Sequence, residues 1–415
     1  MGPRFKIKKK RNVVLGLVAS LVLLNAVLAT IVLYGGQTVG HNSRGYPEIE
    51  QVRDQNMDFR QLSNFFKDLA IQKGGEYAYK ALASAANMGY LSPNVDTHLL
   101  GHVVGDELFK QEGVNGIKIC TNDLRNACSH SIVVGMLLTE GEESLPKIVA
   151  TCKLAPGGSG AYTMCVHGLG HGILAYVSYD MRKATKLCEE TNVTGREFSQ
   201  CVGGEVMEMM AGVNDREAWA KQIGNYFKED DPLSPCNMDF IPEEAKGMCY
   251  VYLTPHLFEA AGANLASPDQ KYFKKAFGFC DKVPGEQDKN ICYGGFGKEF
   301  IVLANARNVQ SIALMSDEKL KRVYEWCIYA NVESGIKACV NSALQSLYWG
   351  GENDRNASVR FCTLIADKRQ QAFCMEDLIS AVAMYVQDAP YRRGFCSELL
   401  QMYRADCRTK LEVAP

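Results

Sequence analysis

The chain has 415 residues, 47% of them apolar and 22% charged, the balance of a folded protein rather than a disordered one. Its 45 basic and 47 acidic residues leave a net charge of −2, and six of the basic ones (Arg4, Lys6, Lys8, Lys9, Lys10, Arg11) precede the first acidic residue, Glu48. The remainder carries 39 basic against 47 acidic residues, an acidic body that excludes the basic footprint of a nucleic-acid binder.

In chain order, residues 1–12 read as a basic tail. From Val13 to Tyr34 there are 22 residues without a charge, enough to cross roughly 30 Å of hydrocarbon as a helix. A cleaved signal has a shorter apolar core, about 7–15 residues, and a small-residue cleavage site, which Tyr34-Gly-Gly-Gln37 does not supply. The segment 13–34 therefore predicts an uncleaved single-pass signal anchor in a membrane. The positive-inside rule puts the N-terminus in the cytoplasm and the rest on the extracytoplasmic side (periplasm, cell surface or secretory lumen). A cleaved signal, the alternative, also exports the chain. Residues 35–57 read as a linker and 58–415 as the folded ectodomain, opening on a cysteine-free helix pair over 58–73 and 76–88.

The 16 cysteines fall into eight successive pairs: Cys120/Cys128, Cys152/Cys165, Cys188/Cys201, Cys236/Cys249, Cys280/Cys292, Cys327/Cys339, Cys362/Cys374 and Cys396/Cys407. Separation within a pair is 8 to 13 residues, and between successive first members 32 to 48. An even count in an exported chain predicts disulfides between nearest neighbours. A tetrathiolate zinc site needs close Cys-x₂₋₄-Cys doublets, and there are none. A helical pattern such as Met181–Cys188 precedes most first cysteines. A polar turn such as Asn192-Val-Thr-Gly195 or Pro284-Gly285 follows, and then a second apolar helix. Each disulfide is expected to join the end of one helix to the start of the next. A period of 30–50 residues belongs to helix-pair solenoids, whose units bury their apolar faces only by stacking. The expected fold class is all-α: an N-terminal transmembrane helix followed by a disulfide-stapled, solenoid-like helical-repeat ectodomain, His-rich over about 90–215 and scaffold-like over about 216–415.

The stretch Tyr79-Lys-Ala-Leu-Ala-Ser-Ala-Ala-Asn-Met-Gly89 and the cysteine period together resemble secreted, cysteine-paired Sel1-like or tetratricopeptide-like solenoids over roughly residues 58–410. The resemblance concerns architecture only. The alanine and glycine landmarks of those repeats are missing elsewhere, and no functional residue is carried over from them.

Five of the seven histidines stand in three places: His98-Leu-Leu-Gly-His102, Cys128-Ser-His130 and Cys165-Val-His167-Gly-Leu-Gly-His171. Residues four apart share a helix face, so His98 pairs with His102 and His167 with His171. The repeat register provides a control. Small residues three and seven places after the second cysteine recur as Ser131 and Gly135, then Gly168 and Gly172, which is a packing property. Two places after it stand His130 and His167, then Gly203, Val251, Gly294, Asn341 and Glu376, so packing does not require the imidazoles. His98, His102, His130, His167 and His171 are the expected metal ligands, with Asp106 and Glu208 the candidate carboxylate ligands or catalytic bases. Glu299 and His256, at the register position of Glu208, read as helix surface. Imidazole and carboxylate donors suit zinc, copper or iron. H-E-x-x-H is absent, which removes the zincin protease class.

These features predict an extracytoplasmic metal-binding protein, hydrolytic or redox if it is an enzyme. The alternative is an interaction scaffold with structural histidines and a protein partner on the solenoid surface. A third reading is non-covalent bis-histidine haem.

Overall fold

The computed structural model describes residues 45–413 apart from 56, 93–94, 122, 265–268, 306–311, 350–354 and 387–388. The chain divides after Glu50, and Gln51–Pro415 form one unit. Of the preceding unit, residues 45–50 are described.

Among the described residues every regular element is helical. Asp58 opens α1 (Phe59–Lys73) with a capping box: its carboxylate accepts the Gln61 N–H at 2.8 Å, and the Gln61 side chain accepts the Asp58 N–H at 2.9 Å. Helix α2 (Gly75–Asn87) folds back on α1, and both bury their apolar faces against α3 (Thr97–Glu112), through Leu62, Phe66, Tyr79 and Leu82.

Beyond this pair the chain lays down a row of long helices. They are α3, α4 (Ala127–Glu140), α5 (Gly158–Tyr176), α6 (Arg196–Ala211), α7 (Glu243–Ala261), α8 (Glu286–Ala304), α9 (Glu333–Trp349) and α10 (Lys368–Tyr385). Each packs on the next. Short helices, Leu145–Cys152, Met181–Glu190, Phe273–Cys280, Asp317–Cys327 and Arg355–Leu364, lie between consecutive members and touch both. The result is a two-layer helical solenoid.

Eight disulfides join the nearest-neighbour pairs: Cys120–Cys128, Cys152–Cys165, Cys188–Cys201, Cys236–Cys249, Cys280–Cys292, Cys327–Cys339, Cys362–Cys374 and Cys396–Cys407. Their Cα atoms lie 5.4–6.0 Å apart. All but the Cys120 and Cys236 partners run from a short helix into the following helix.

The expected place of the second cysteine, at a helix start, is corrected. Cys128 keeps it, at the beginning of α4. Cys165, Cys201, Cys249, Cys292 and Cys339 lie well inside α5, α6, α7, α8 and α9. Cys374 lies inside α10, and Cys407 inside the last described helix, Gln401–Lys410. The reason is that the polar segments before them are already helical, from Gly158 in α5, from Lys368 in α10 and from Gln401 in the last helix. Each of these bridges therefore pins the flank of a helix and fixes its rotation, not only its end.

The small residues of the repeat are what let the long helices approach. A Cβ at Gly204 would collide with the His167 carbonyl oxygen, and one at Gly297 with the Cys339 carbonyl oxygen. A Cβ at Gly105 would stand 2.8 Å from Ser131 Cβ. At each of these places backbone meets its neighbour where any larger residue would force the helices apart.

The membrane-spanning part of the expected fold class is also corrected. Among the described residues no helix is long and apolar enough to cross a membrane, and the segment 13–34 lies outside the described residues. The long helices that are described bury one face and keep charge on another, as Glu286, Asp288, Lys298 and Glu299 of α8 show. The single-pass topology, the cytoplasmic N-terminus and the localisation that followed from them fall with the anchor. What stands is an all-α, disulfide-stapled repeat unit, and its disulfides fit an oxidising, extracellular setting.

Gly297→Ala is expected to lower stability by about 1–3 kcal/mol through overpacking. Gly160→Ala, whose Cβ meets nothing within 4 Å, is expected to be neutral or stabilising by up to about 1 kcal/mol. Urea unfolding of the two variants with disulfides intact checks the difference.

Candidate metal centre

The stacking of α3, α4 and α5 brings all five imidazoles into one contiguous cluster. His98 and His102 have ring centroids 4.7 Å apart, and His167 and His171 4.9 Å. His130 lies between the pairs, 5.9 and 6.2 Å from the first and 5.9 and 5.4 Å from the second. Gly168 makes room for it, since a Cβ there would collide with the His130 ring. The series of histidines two places after the cysteine stops at Gly203 for the same kind of reason: a Cβ there would meet Met248 and the Tyr252 ring at 2.8 Å.

Hydrogen bonds made away from the cluster fix how the rings face. His98 Nδ1 is 2.9 Å from the Leu124 carbonyl oxygen and His167 Nδ1 3.2 Å from that of Gln200. A carbonyl only accepts, so both rings carry their proton on Nδ1 and present a bare Nε2 lone pair. His171 Nδ1 lies 3.1 Å from Glu208 Oε2. Burial alone would raise Glu208, but the bonds from His171, Tyr179 and Asn214 and the His171 charge outweigh it and hold the carboxyl below its usual value. His171 Nδ1 is thus also a donor. Ser131 Oγ, 3.0 Å from His102 Nδ1, has two acceptors for its own hydrogen, the His102 carbonyl at 3.0 Å and the Asp106 carboxylate. It accepts the His102 Nδ1 proton when its hydrogen goes to either of these, and donates to Nδ1 when it does not.

Four Nε2 atoms meet in two facing pairs, His98 with His102 and His167 with His171, at hydrogen-bond distance, 3.2 Å in each. At that distance either an N–H of one ring donates to the Nε2 of the other or a metal ion can lie between them. Nitrogens bound at 2.0–2.1 Å to a tetrahedral zinc stand about 3.3–3.4 Å apart, close to the observed separation. His98, His102, His130 and His167 hold a proton poorly. Burial, opposed by the Leu124 bond, takes His98 down to about 4, and burial with the charges of His98 and His171 takes His102 to about 3. Burial, then the neighbouring imidazoles, pushes His130 well below the usual histidine value, and burial with the His171 and Lys298 charges does the same to His167. His130 Nε2 is buried without a hydrogen-bond partner among the described residues. Donor nitrogens of His98, His102 and His130 lie within 4.8 Å of one another, so the three can hold one ion.

The two carboxylates stand behind imidazoles. Glu208 accepts on Oε1 from Tyr179 Oη at 2.5 Å and from the Val213 and Asn214 N–H groups at 3.0 Å, which leaves Oε2 to His171. The turn that supplies those N–H groups needs Gly212 at φ 60°. Asp106 backs His102 through Ser131. Such outward partners set ring orientation and basicity at metal sites. His256 lies apart, its ring centroid 4.7 Å from that of Phe227, and Glu299 is half-buried beside Lys298. His41 lies outside the described residues.

Sequence reasoning missed Tyr252, which stacks on His167 at 4.8 Å and 28°. Its signal was in the register: three places after Cys249, where other repeats carry Ser131, Gly168, Gly204, Gly295 and Ser342, stands this tyrosine. A second cluster, Cys188, Cys201 and Glu205, also draws together, but its sulfurs are bonded to each other and offer no thiolate. Burial, opposed by the bond from Thr185, keeps the Glu205 carboxyl well above its usual value, so it is a neutral acid.

In metal-free protein the depressed histidines make the unfolded chain bind more protons than the folded one between about pH 6.5 and their folded values. Stability is expected to fall as pH drops from about 7 towards about 4, by up to about 1.4 kcal/mol per pH unit for each such histidine. Chemical denaturation across that range measures the slope, and replacing His98 and His102 together with Asn should flatten it. Glu205 has the opposite sign: its unfolded form loses a proton above about pH 4.5 that the folded form retains. Glu205→Gln should therefore raise stability at pH 7–8 relative to pH 5, with metal content unchanged.

No family model, no curated protein and no solved structure matches the chain. The resemblance to Sel1-like and tetratricopeptide-like solenoids accordingly stays one of helical, cysteine-paired architecture.

Proposed function

We propose that this chain is a metal-binding protein whose five-histidine cluster holds one or two first-row transition ions of the zinc, copper or iron class. One observation carries the reading. Imidazoles of His98 and His102, half-buried, and of His130, buried, bring ligand atoms to within 4.8 Å of one another, and His130 Nε2 has no other partner among the described residues. A buried polar network would be expected to satisfy that nitrogen.

His98, His102 and His130 would hold one ion. His167 and His171 form a second nitrogen edge, with the Glu208 carboxylate behind it to balance positive charge. Two or three protein nitrogens per ion leave coordination positions open, as catalytic sites do and four-ligand structural sites do not. The reading therefore includes a metalloenzyme, with the bound ion supplying Lewis-acid or redox chemistry.

Full-length protein purified without chelator, loaded with zinc and desalted, is expected to retain at least one equivalent by elemental analysis. Replacing His98 and His102 with Ala should remove an ion while leaving the far-ultraviolet circular dichroism of a helical protein. Bound metal should also raise the melting temperature, since a ligand at 1,000 times its Kd stabilises by about 4 kcal/mol. Sub-stoichiometric metal in the wild-type chain would overturn the reading and leave the imidazoles as a buried network in a scaffold.

A further inference from the structure

Of the five clustered histidines, His130 is held differently from the rest. His98, His102, His167 and His171 each have Nδ1 tied outward, to the Leu124 carbonyl, Ser131 Oγ, the Gln200 carbonyl and Glu208 Oε2. Each therefore offers one nitrogen, Nε2, to the cluster. Neither ring nitrogen of His130 makes a hydrogen bond among the described residues, and its Nε2 is buried. A polar atom left in this way inside a protein forfeits a bond that it would make in water, so its place in the fold calls for a partner.

The ring also has histidine neighbours on two sides. Helix α4 packs on both α3 and α5, and each of those helices brings an i, i+4 histidine pair to it. From His130 the ring centroids are 5.9 and 6.2 Å away in the α3 pair and 5.9 and 5.4 Å away in the α5 pair, a nearly balanced position. Two imidazoles bound to one tetrahedral ion through bonds of 2.0–2.1 Å have ring centres roughly 5 Å apart, and about 6 Å as the angle between them opens. Both pairs are therefore near enough to share an ion with His130. A Cβ on Gly168 would stand 2.4 Å from His130 Cδ2, so that edge of the ring faces α5, while Nδ1 occupies the other edge. The group that His130 forms with His98 and His102 uses one of its nitrogens and leaves the second free.

We propose that His130 bridges two metal ions, one held with His98 and His102 and the other with His167 and His171, its ring bound as imidazolate through both nitrogens. The proposal rests on the metal reading above and goes beyond it, since the two pairs then belong to one dinuclear centre. The bridging ring sets the ions about 6 Å apart, counting two bonds of 2.0–2.1 Å and the width of the ring. Entry of the second ion displaces the remaining N–H proton of His130 to solvent, and no electron is transferred. The anionic ring lies between the two divalent ions, and each outer side has a carboxylate behind an imidazole: Asp106 behind His102 through Ser131, and Glu208 behind His171. These negative charges offset most of the charge of the two ions, as a buried site requires.

Full-length protein is titrated with copper(II), and each step is followed by low-temperature electron paramagnetic resonance and by proton release to an indicator dye in weak buffer. The first equivalent should give the signal of one isolated copper ion. The second should abolish most of that signal, because an imidazolate bridge couples the two spins in opposition. It should also release about one proton more than the same step in His130→Asn. His130→Asn should keep its helical circular dichroism, hold copper about tenfold or more weakly and show the full, uncoupled signal of whatever it binds. Two equivalents with the intensity of two independent ions in the wild-type chain, or uptake that stops at one, overturn the bridge and leave the metal reading standing. No copper retained after desalting overturns both. The wild-type signal carries the test if His130→Asn does not fold.

Discussion

At Gly168 and Gly204 the long helices come so close that a single methyl group would strike the His130 ring in one case and the His167 carbonyl oxygen in the other. This backbone-level approach sets everything around it. It places the residue two positions after a cysteine on one helix against the residue three positions after a cysteine on the next. Histidine at the first of those positions in two successive repeats, with an i, i+4 pair on each side, becomes a cluster for that reason. The disulfides hold the rotation of each helix, so the register that sequence spacing implies is preserved in space. Where Tyr252 and Met248 fill the gap over Gly203, the cluster ends.

Burial has lowered the basicity of His98, His102, His130 and His167, while outward hydrogen bonds turn the Nε2 atoms of each pair on one another. Hydrogen bonds to Leu124, Gln200, Ser131 and Glu208 keep the rings from turning away. Rings oriented this firmly, with their nitrogens facing one another, are what the proposed metal reading rests on.

Much of this was legible in the sequence. The cysteine period identified the repeat, and the register made His130 and His167 stand out from Gly203, Val251 and Gly294. Helical spacing paired His98 with His102 and His167 with His171. The rest lay in contacts with no sequence signature. Backbone carbonyls of Leu124 and Gln200 orient two of the rings, and any residue at those positions supplies a carbonyl. Asp106 and Glu208 share a helix face with the site, or lie one repeat away, yet spacing does not say whether a carboxylate meets a metal or the far side of an imidazole. Second cysteines such as Cys165, Cys374 and Cys407 were placed too near the helix starts because polar residues before them read as turns, while the chain there is already helical. The anchor inferred from 13–34 rested on the hydropathy of one segment, and no described helix supports a membrane span.

X-ray absorption at the zinc edge of the zinc-loaded full-length protein tests the central claim most directly. The account predicts a first shell of nitrogen at about 2.0–2.1 Å, with imidazole scattering from at least two rings and no sulfur at about 2.3 Å. A first shell of oxygen alone, or one containing sulfur, would contradict it.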